Sequence, residues 1–201
     1  MKEKAVTEPA VTAEEGKKKR AKSVAREAAY IALSVALISV CAWISIPLGP
    51  IPVTLQTFAV PFIGAVMGWK RGVSAVVIYF IMGLIGIPVF SNFGAGVAVL
   101  FGPTGGYLLG FVLDVLLVGV AKIIPIKNRW ARMGFLYGAA VLGAVSYFAF
   151  GTLWFMTVYS GAGEMGLAAA LMLCVVPYLA PDAVKAALAV TLAVRLERFV
   201  K

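Results

Sequence analysis

The sequence contains no histidine, and this absence removes a large part of ordinary enzyme chemistry. A chain without histidine has neither imidazole acid–base catalysis nor histidine metal sites. Cysteine is scarce as well, and Cys41 and Cys174 lie far apart in apolar surroundings, which is typical of small packing residues. Charged residues make up 13% of the 201 residues, whereas soluble domains contain roughly a quarter. The composition therefore excludes an ordinary soluble domain.

Long apolar runs take the place of the missing charge. The chain is 62% hydrophobic and its mean hydropathy is +0.96. The runs are long and bounded by charges, which favours membrane-spanning helices over a barrel of short strands. We predict an all-α membrane protein with a basic, disordered tail over 1–22 and a six-helix domain over 23–201. The predicted spans are 25–46, 54–69, 72–88, 105–124, 132–158 and 179–198.

Lys and Arg residues alternate between the connections, as expected of a chain that crosses a membrane repeatedly. Basic residues occur in the amino-terminal tail, at Trp69–Gly72, from Lys122 to Arg132 and at the carboxyl end. The intervening stretches 47–53 and 86–104 are uncharged, and 159–176 has only Glu164. The positive-inside rule then predicts a multi-pass protein with both termini cytoplasmic. It also explains the net charge of +9 without nucleic-acid binding.

An acid and a base lie three residues apart in the last apolar segment. Asp182 and Lys185 occupy the same face of a helix at this spacing. Ionised groups within the membrane are costly and usually functional. We therefore expect the pair to form part of a binding site.

Two prolines, at 177 and 181, determine the predicted depth of that pair. Residues 165–176 are too few to cross a bilayer, so we expect an interfacial or half-inserted helix there. The last span is predicted to begin near Leu179, with Pro181 and Asp182 in its first turn, where proline is tolerated and the helix dipole favours an anion. The pair would then lie near the outer mouth of the bundle.

The connections at 47–53 and 86–104 are apolar and rich in glycine and proline. A long apolar loop is usually functional or buried, so we expect both to fold over a cavity at the outer face. Asn92 is the lone amide of the second loop. Its side chain has donors and an acceptor for a ligand, but local turn capping is an equally ordinary role.

Two further features have more than one interpretation. Ala28 and Ala32 form a small-residue ridge on the first span, with Ala25 and Ala29 on an adjacent one. Such ridges serve internal helix packing or a partner helix. Asp114 lies near the middle of the fourth span, where either a structural role or a ligand contact is open to it.

Three separated motifs carry a family resemblance over residues 25–198. "GPIPVTLQT" (Gly49–Thr57), "FGPTGGYLLGF" (Phe101–Phe111) and "PDAVKAAL" (Pro181–Leu188) resemble the BioY family. BioY proteins are the substrate-binding S components of energy-coupling factor (ECF) transporters for biotin. The resemblance implies a compact six-helix bundle in a prokaryotic plasma membrane, which binds biotin near the outer surface.

The resemblance also implies site residues. In the family, an Asn before the fourth helix and an Asp-x-x-Lys in the sixth contact the ligand, and these match Asn92, Asp182 and Lys185. A lid-like first loop matches Gly49–Thr57. Apolar and aromatic residues that could cover the biotin rings are Phe90, Phe93 and Tyr107.

Partners follow from the same resemblance. S components use an alanine ridge on the first helix to dock a transmembrane coupling subunit, which Ala28 and Ala32 fit, with Ala25 and Ala29 as a rival register. The sequence lacks the G-x-x-x-x-G-K-[ST] nucleotide-binding loop. Energy is therefore expected from two ATPase subunits, and we expect no enzyme activity, metal or cofactor in this chain.

Three other functions are alternatives to this interpretation. An S component for a different vitamin is the nearest rival. An intramembrane aspartyl protease would use Asp114 and Asp182 as adjacent carboxylates, but their expected depths differ and the Gly-x-Gly-Asp signature is missing. A passive channel needs a polar lining that these spans do not offer.

Overall fold

A computed structural model describes residues 8–159 and 166–196, and these residues form an α-helical bundle. The all-α prediction is confirmed, and a helix overlaps most of each of the six predicted spans. The elements in chain order are α1 (Glu8–Trp43), β1 (Ser45–Ile46), β2 (Val53–Thr54), α2 (Gln56–Met67), α3 (Trp69–Leu84), a 3₁₀ turn (Ser91–Phe93), α4 (Val97–Leu100), α5 (Gly105–Ile123), α6 (Arg129–Tyr159), α7 (Leu167–Cys174) and α8 (Val176–Leu196).

The amino-terminal segment differs from its prediction from residue 8 onward. The sequence predicted disorder over 1–22, but α1 begins at Glu8, and residues 1–7 lie outside the described part. Alanine, glutamate and lysine, which are good helix formers, favour a helix in this segment. All side chains from Lys18 to Arg26 are exposed, so this part of α1 contributes nothing to the core.

The junction of α2 and α3 is a single residue, Gly68. The basic stretch Trp69–Gly72 was predicted as a loop, and this is wrong, because it forms the first turn of α3. Gly68 has φ 79° and ψ 172°, a conformation that only glycine adopts readily, and it therefore reverses the chain without a longer linker. Gly119 of α5 lies against this junction, where a Cβ atom would collide with the backbone of Trp69.

Helices α5 and α6 pack closely through small residues. Gly106 and Gly110 face α6, and a Cβ atom on either would collide with Trp154 or Tyr147 respectively. Glycines at spacing four permit this close helix packing. This contact places Tyr147 of α6 beside the interior of the bundle.

Helices α7 and α8 are bent by 43° where they meet at Val175. A short helix before the last span is confirmed, since α7 covers Leu167–Cys174. The predicted start of the last span at Leu179 is wrong, because α8 begins at Val176. Pro177 fits the first turn, where backbone N–H groups have no intrahelical partner.

The earlier start moves the acid deeper into α8. Pro181 lies inside the helix, and Asp182 belongs to the second turn. The helix dipole acts mainly on the first turn, so it no longer accounts for an anion at this position. Partner side chains must supply the stabilisation.

Helix lengths indicate a membrane protein. Within the described residues, three helices are long and apolar enough to cross a bilayer, at Lys18–Trp43, Gly105–Ile123 and Arg129–Val158, and the bent pair α7–α8 is a fourth candidate. Helix α2 has only 12 residues, about 18 Å of helix, against a hydrocarbon core of about 30 Å.

Candidate ligand-binding site

One cavity of about 60 Å³ lies between the helices and the two apolar loops. Both loops line it, which confirms the prediction that they fold over a cavity. Most of the lining is apolar or aromatic, with a small number of polar groups, as is typical of small-molecule sites. The lining residues are Ile51, Pro52, Val53, Thr54, Gln56, Thr57, Phe90, Ser91, Val99, Thr104, Tyr107, Leu108, Phe111, Tyr147, Phe148, Cys174, Tyr178 and Asp182.

The carboxylate of Asp182 is the centre of the polar part of this cavity. Asp182 is only 6% exposed. Its Oδ1 atom accepts a hydrogen bond from Thr57 Oγ1 at 2.9 Å, and its Oδ2 atom accepts one from Tyr147 OH at 2.8 Å. Helices α2, α6 and α8 are thus joined at one carboxylate.

Lys185 completes this polar cluster. Its Nζ atom lies 2.5 Å from Asp182 Oδ1 and donates a hydrogen bond to the carbonyl oxygen of Thr54 at 2.8 Å. Both side chains are largely buried, at 7% and 12% exposure. A buried charge is tolerated when it is paired and hydrogen-bonded, so this pair replaces the helix-dipole stabilisation expected from the sequence.

Tyr107 of α5 lines the cavity, as predicted for a residue that covers a ligand. Its side chain is buried, and its hydroxyl group lies 3.4 Å from both Thr152 Oγ1 and the carbonyl oxygen of Cys174. These are long contacts, and a hydroxyl held so loosely can exchange them for a ligand atom.

Asn92 and Phe93 lie at the rim, outside the cavity lining. Both have left-handed backbone conformations, with φ 54° and 57°. The Oδ1 atom of Asn92 accepts a hydrogen bond from Ser45 Oγ at 2.8 Å, and Phe93 stacks on Trp43 with ring centroids 5.2 Å apart. Asp182 and Tyr107 therefore line the cavity, and Lys185 is joined to it through its pair with Asp182. The other two predicted residues lie at the edge.

Sequence reasoning missed several polar residues of the site. Thr57 and Tyr147 bind Asp182 directly, and Gln56 lines the cavity while its Nε2 atom donates to Tyr79 OH at 2.9 Å. Gln56 and Thr57 are the last two residues of the quoted "GPIPVTLQT" motif. The resemblance identified that motif as a lid-like loop, but it did not identify these two residues individually. Tyr147 had no signal, because an aromatic residue in a span usually packs.

The β1–β2 connection is tied to the floor of the cavity. Tyr178 OH donates a hydrogen bond to the carbonyl oxygen of Ile51, and Lys185 holds Thr54. The strands themselves pair only through Ser45 with Thr54 and Ile46 with Val53. This short β1–β2 ribbon is therefore held against helix α8 by two hydrogen bonds.

Asp114 does not line the cavity. It is 1% exposed, and its Oδ1 atom has no hydrogen-bond partner. The carboxyl group lies against Gly143 of α6, where a Cβ atom would collide with it. This position between α5 and α6 favours the structural interpretation of Asp114.

The alanine ridges of α1 face outward. Ala25, Ala28, Ala29 and Ala32 are all exposed, so neither register serves internal packing. Next to them, Arg71 Nε donates to Glu27 Oε2 at 2.6 Å, which ties α1 to the first turn of α3. Both registers therefore remain available to a partner helix.

The sequence of this chain is similar to those of named biotin transporters. A "Probable biotin transporter BioY" of Pyrococcus horikoshii is 39% identical over 173 residues, covering 86% of this chain and 97% of the relative. A "Biotin transporter BioY" of Thermotoga maritima is 45% identical over 113 residues, covering 56% of this chain and 67% of the relative.

A solved structure has a similar fold. It is a crystal structure of the S-component for biotin from an ECF-type ABC transporter, with a TM-score of 0.74 and 26% sequence identity, covering 88% of this chain and 93% of that chain. The family model for BioY matches residues 12–201. Since that match covers nearly the whole sequence, this chain belongs to the BioY family.

Proposed function

We propose that this chain is the biotin-binding S component of an ECF-type vitamin uptake transporter. It captures biotin at the outer face of the membrane for import that partner subunits drive. The buried pair of Asp182, which lines the cavity, with Lys185 supports this function most directly, in a family whose named relatives are biotin transporters. An S component for another vitamin is the alternative.

The chemistry of biotin suits the polar cluster. Its ureido ring has two N–H donors and a carbonyl acceptor, its thioether ring is apolar, and its tail ends in a carboxylate. Asp182 can accept from a ureido N–H, and Lys185 can donate to the ureido oxygen or the carboxylate. Asn92 can do either, and Tyr107 and Phe93 can cover the rings.

Binding requires the cavity to enlarge. Pockets that hold drug-sized ligands are roughly 300–1,000 Å³, whereas this one is about 60 Å³. We propose that the β1–β2 ribbon and the 86–104 loop separate to admit biotin and then close over it. Closure on the ligand would exchange the bond between Ser45 and Asn92 for one between Asn92 and biotin, and would bring Phe93 inward.

The membrane topology we propose has six spans and cytoplasmic termini, in the plasma membrane of a prokaryote. Lys70 and Arg71 at the α2–α3 junction, the basic stretch 122–132 and Arg195 would then share one side. The short α2 would reach only part of the bilayer, and the ordered loop that precedes it would complete its crossing.

The partners we propose are a transmembrane coupling subunit and two ATPase subunits. The exposed alanines Ala28 and Ala32 supply a flat face for the coupling subunit, with Ala25 and Ala29 as the rival register. The remaining outer surface contacts membrane lipid, and no nucleic acid is involved.

A thermal-shift titration of the purified protein tests the ligand. We expect biotin to raise the melting temperature, and thiamine, riboflavin and folate to leave it unchanged. Desthiobiotin, which keeps the ureido ring and the carboxylate but lacks the sulfur, should bind more weakly. A shift with another vitamin and none with biotin would replace the proposed ligand by the alternative.

A further inference from the structure

An apolar groove of about 600 Å³ lies between α5 and α6, remote from the ligand cavity. Its walls are aliphatic apart from the ring of Phe135, and two exposed glycines one helical turn apart also line it. No heavy atom lies within 4 Å of the position that a Cβ would take at either glycine. Residues that define it are Leu117, Val120, Ile124, Gly134, Gly138 and Leu142.

Positive charge is concentrated at one end of this groove. Lys127, in the turn that joins α5 to α6, and Arg129, the first residue of α6, are both exposed, and Trp130 follows with 75% exposure. The sequence has no Asp or Glu from residue 115 to residue 163. Tryptophan is enriched at membrane–water interfaces, so this end of the groove meets the headgroup region.

The charge also distinguishes among possible occupants. A second copy that used the same groove across a twofold axis would bring its own Lys127 and Arg129 towards this pair, and like charges would oppose the contact. The proposed docking face for the coupling subunit is on α1, which packs on α2 and α3, whereas the groove belongs to α5 and α6. An occupant with an anionic head and an apolar tail matches both the basic end and the apolar remainder of the groove.

We infer that the groove binds an acyl chain of an anionic phospholipid, with the lipid phosphate beside Lys127 and Arg129. The acyl chain lies along Gly134 and Gly138, where the missing side chains leave room for it. Basic residues next to a span attract anionic headgroups, and a bound lipid stabilises the fold by mass action. The site is separate from biotin capture and depends on none of its residues.

Native mass spectrometry of the full chain after delipidation tests this inference. We expect the protein to retain dioleoyl phosphatidylglycerol several-fold better than dioleoyl phosphatidylcholine. The double variant Lys127→Ala/Arg129→Ala should reduce that preference to about one. Gly138→Leu should lose retention of both lipids, because the leucine side chain occupies the groove, and its Cβ atom meets no existing heavy atom within 4 Å.

Matched controls separate the groove from general effects. Lys18→Ala/Lys19→Ala removes the same charge from the exposed part of α1, and Ala149→Leu adds a leucine to the exposed face of α6 outside the groove. Both controls should retain phosphatidylglycerol as the wild type does. Stabilisation by biotin in every variant would show that each one folds.

Three results would overturn the inference. One is equal retention of the two lipids by the wild type, and another is undiminished retention by Gly138→Leu. The third is concentration-dependent dimerisation of the wild type that Gly138→Leu abolishes without changing lipid retention, which would assign the groove to a second copy of the chain.

Discussion

The two walls of the ligand cavity are built differently. The helix wall has Thr57, Tyr147, Asp182 and Lys185 on α2, α6 and α8, and they are joined by short hydrogen bonds and an ion pair. The loop wall ends at a rim where Asn92 and Phe93 are exposed and bound to other groups.

This difference indicates that the two walls have different roles in binding. Side chains held by three packed helices keep their geometry before the ligand arrives, which lowers the cost of ordering them on binding. Side chains on a loop can move more freely, and a lid over the cavity must move to admit a ligand. We therefore expect the helix wall to determine most of the affinity and the loop wall to determine closure.

The largest effect should follow from Asp182→Ala. This variant leaves the ammonium group of Lys185 buried without its carboxylate, and breaking a buried pair costs roughly 3–5 kcal/mol. We expect a fall in melting temperature and a loss of biotin affinity of about 100-fold or more, since each 1.4 kcal/mol is about tenfold. Isothermal titration calorimetry and a thermal melt measure the two effects.

The double variant Asp182→Ala/Lys185→Ala separates stability from recognition. It removes the unpaired charge, so much of the melting temperature should return while biotin affinity stays low. Recovery of affinity in the double variant would contradict a direct role of the pair in binding.

A smaller effect on the same wall is expected from Tyr147→Phe. The change removes one hydrogen bond to a carboxylate, worth roughly 1.5–3 kcal/mol, and leaves the ring in place. We expect biotin affinity to fall about tenfold or somewhat more. Tyr137→Phe is the matched control, because that hydroxyl bonds to Ala187 and Thr191 away from the cavity, and its affinity should equal that of the wild type.

Asn92→Gly tests whether the loop wall closes on the ligand. Glycine adopts the left-handed backbone at this position without strain and removes the side chain that carries the amide. We expect biotin affinity to fall by up to about tenfold, chiefly through faster dissociation measured with labelled biotin. Asn92→Ala adds backbone strain, so it should be somewhat worse. Unchanged dissociation in the glycine variant would leave recognition to the helix wall alone.

The smallest effect on affinity is expected from Ala32→Leu. The residue is exposed on α1, so biotin binding should be unchanged, while ATP-driven uptake in cells with the partner subunits should be blocked by the bulk at the docking face. Ala29→Leu is the comparison for the rival register. Normal uptake with Ala32→Leu and blocked uptake with Ala29→Leu would move the docking face to that register.

The helical fold and the order of its long apolar helices could be predicted because long apolar runs between charges leave few other structures in a membrane. The short helix α4 inside the 86–104 loop was not predicted. Helix limits were less predictable. The single residue Gly68 reverses the chain where a basic loop was expected, and Pro177 takes the first turn of α8 that had been assigned to Pro181. Helix propensity and the preference for proline in a first turn allow either set of helix limits. The packing of neighbouring helices decides between them.

The residues of the candidate site that could be predicted are those whose side chains are rare in a membrane segment. Asp182 and Lys185 were recognisable because ionised residues are rare there, and the structure pairs them. Thr57 and Tyr147 were not recognisable, because a threonine at a helix start and a tyrosine in a span are ordinary. Only the packing of α2 and α6 against α8 brings their hydroxyl groups to the carboxylate.

The sequence alone determined that this chain is a helical membrane protein, with an acid–base pair and two apolar loops reserved for a site. Those features follow from composition and from the cost of charge in hydrocarbon. The tertiary structure decided which hydroxyl groups complete the carboxylate, which glycines allow helices to touch, and where an open groove remains. Such contacts join residues up to 131 positions apart, and no local pattern specifies them.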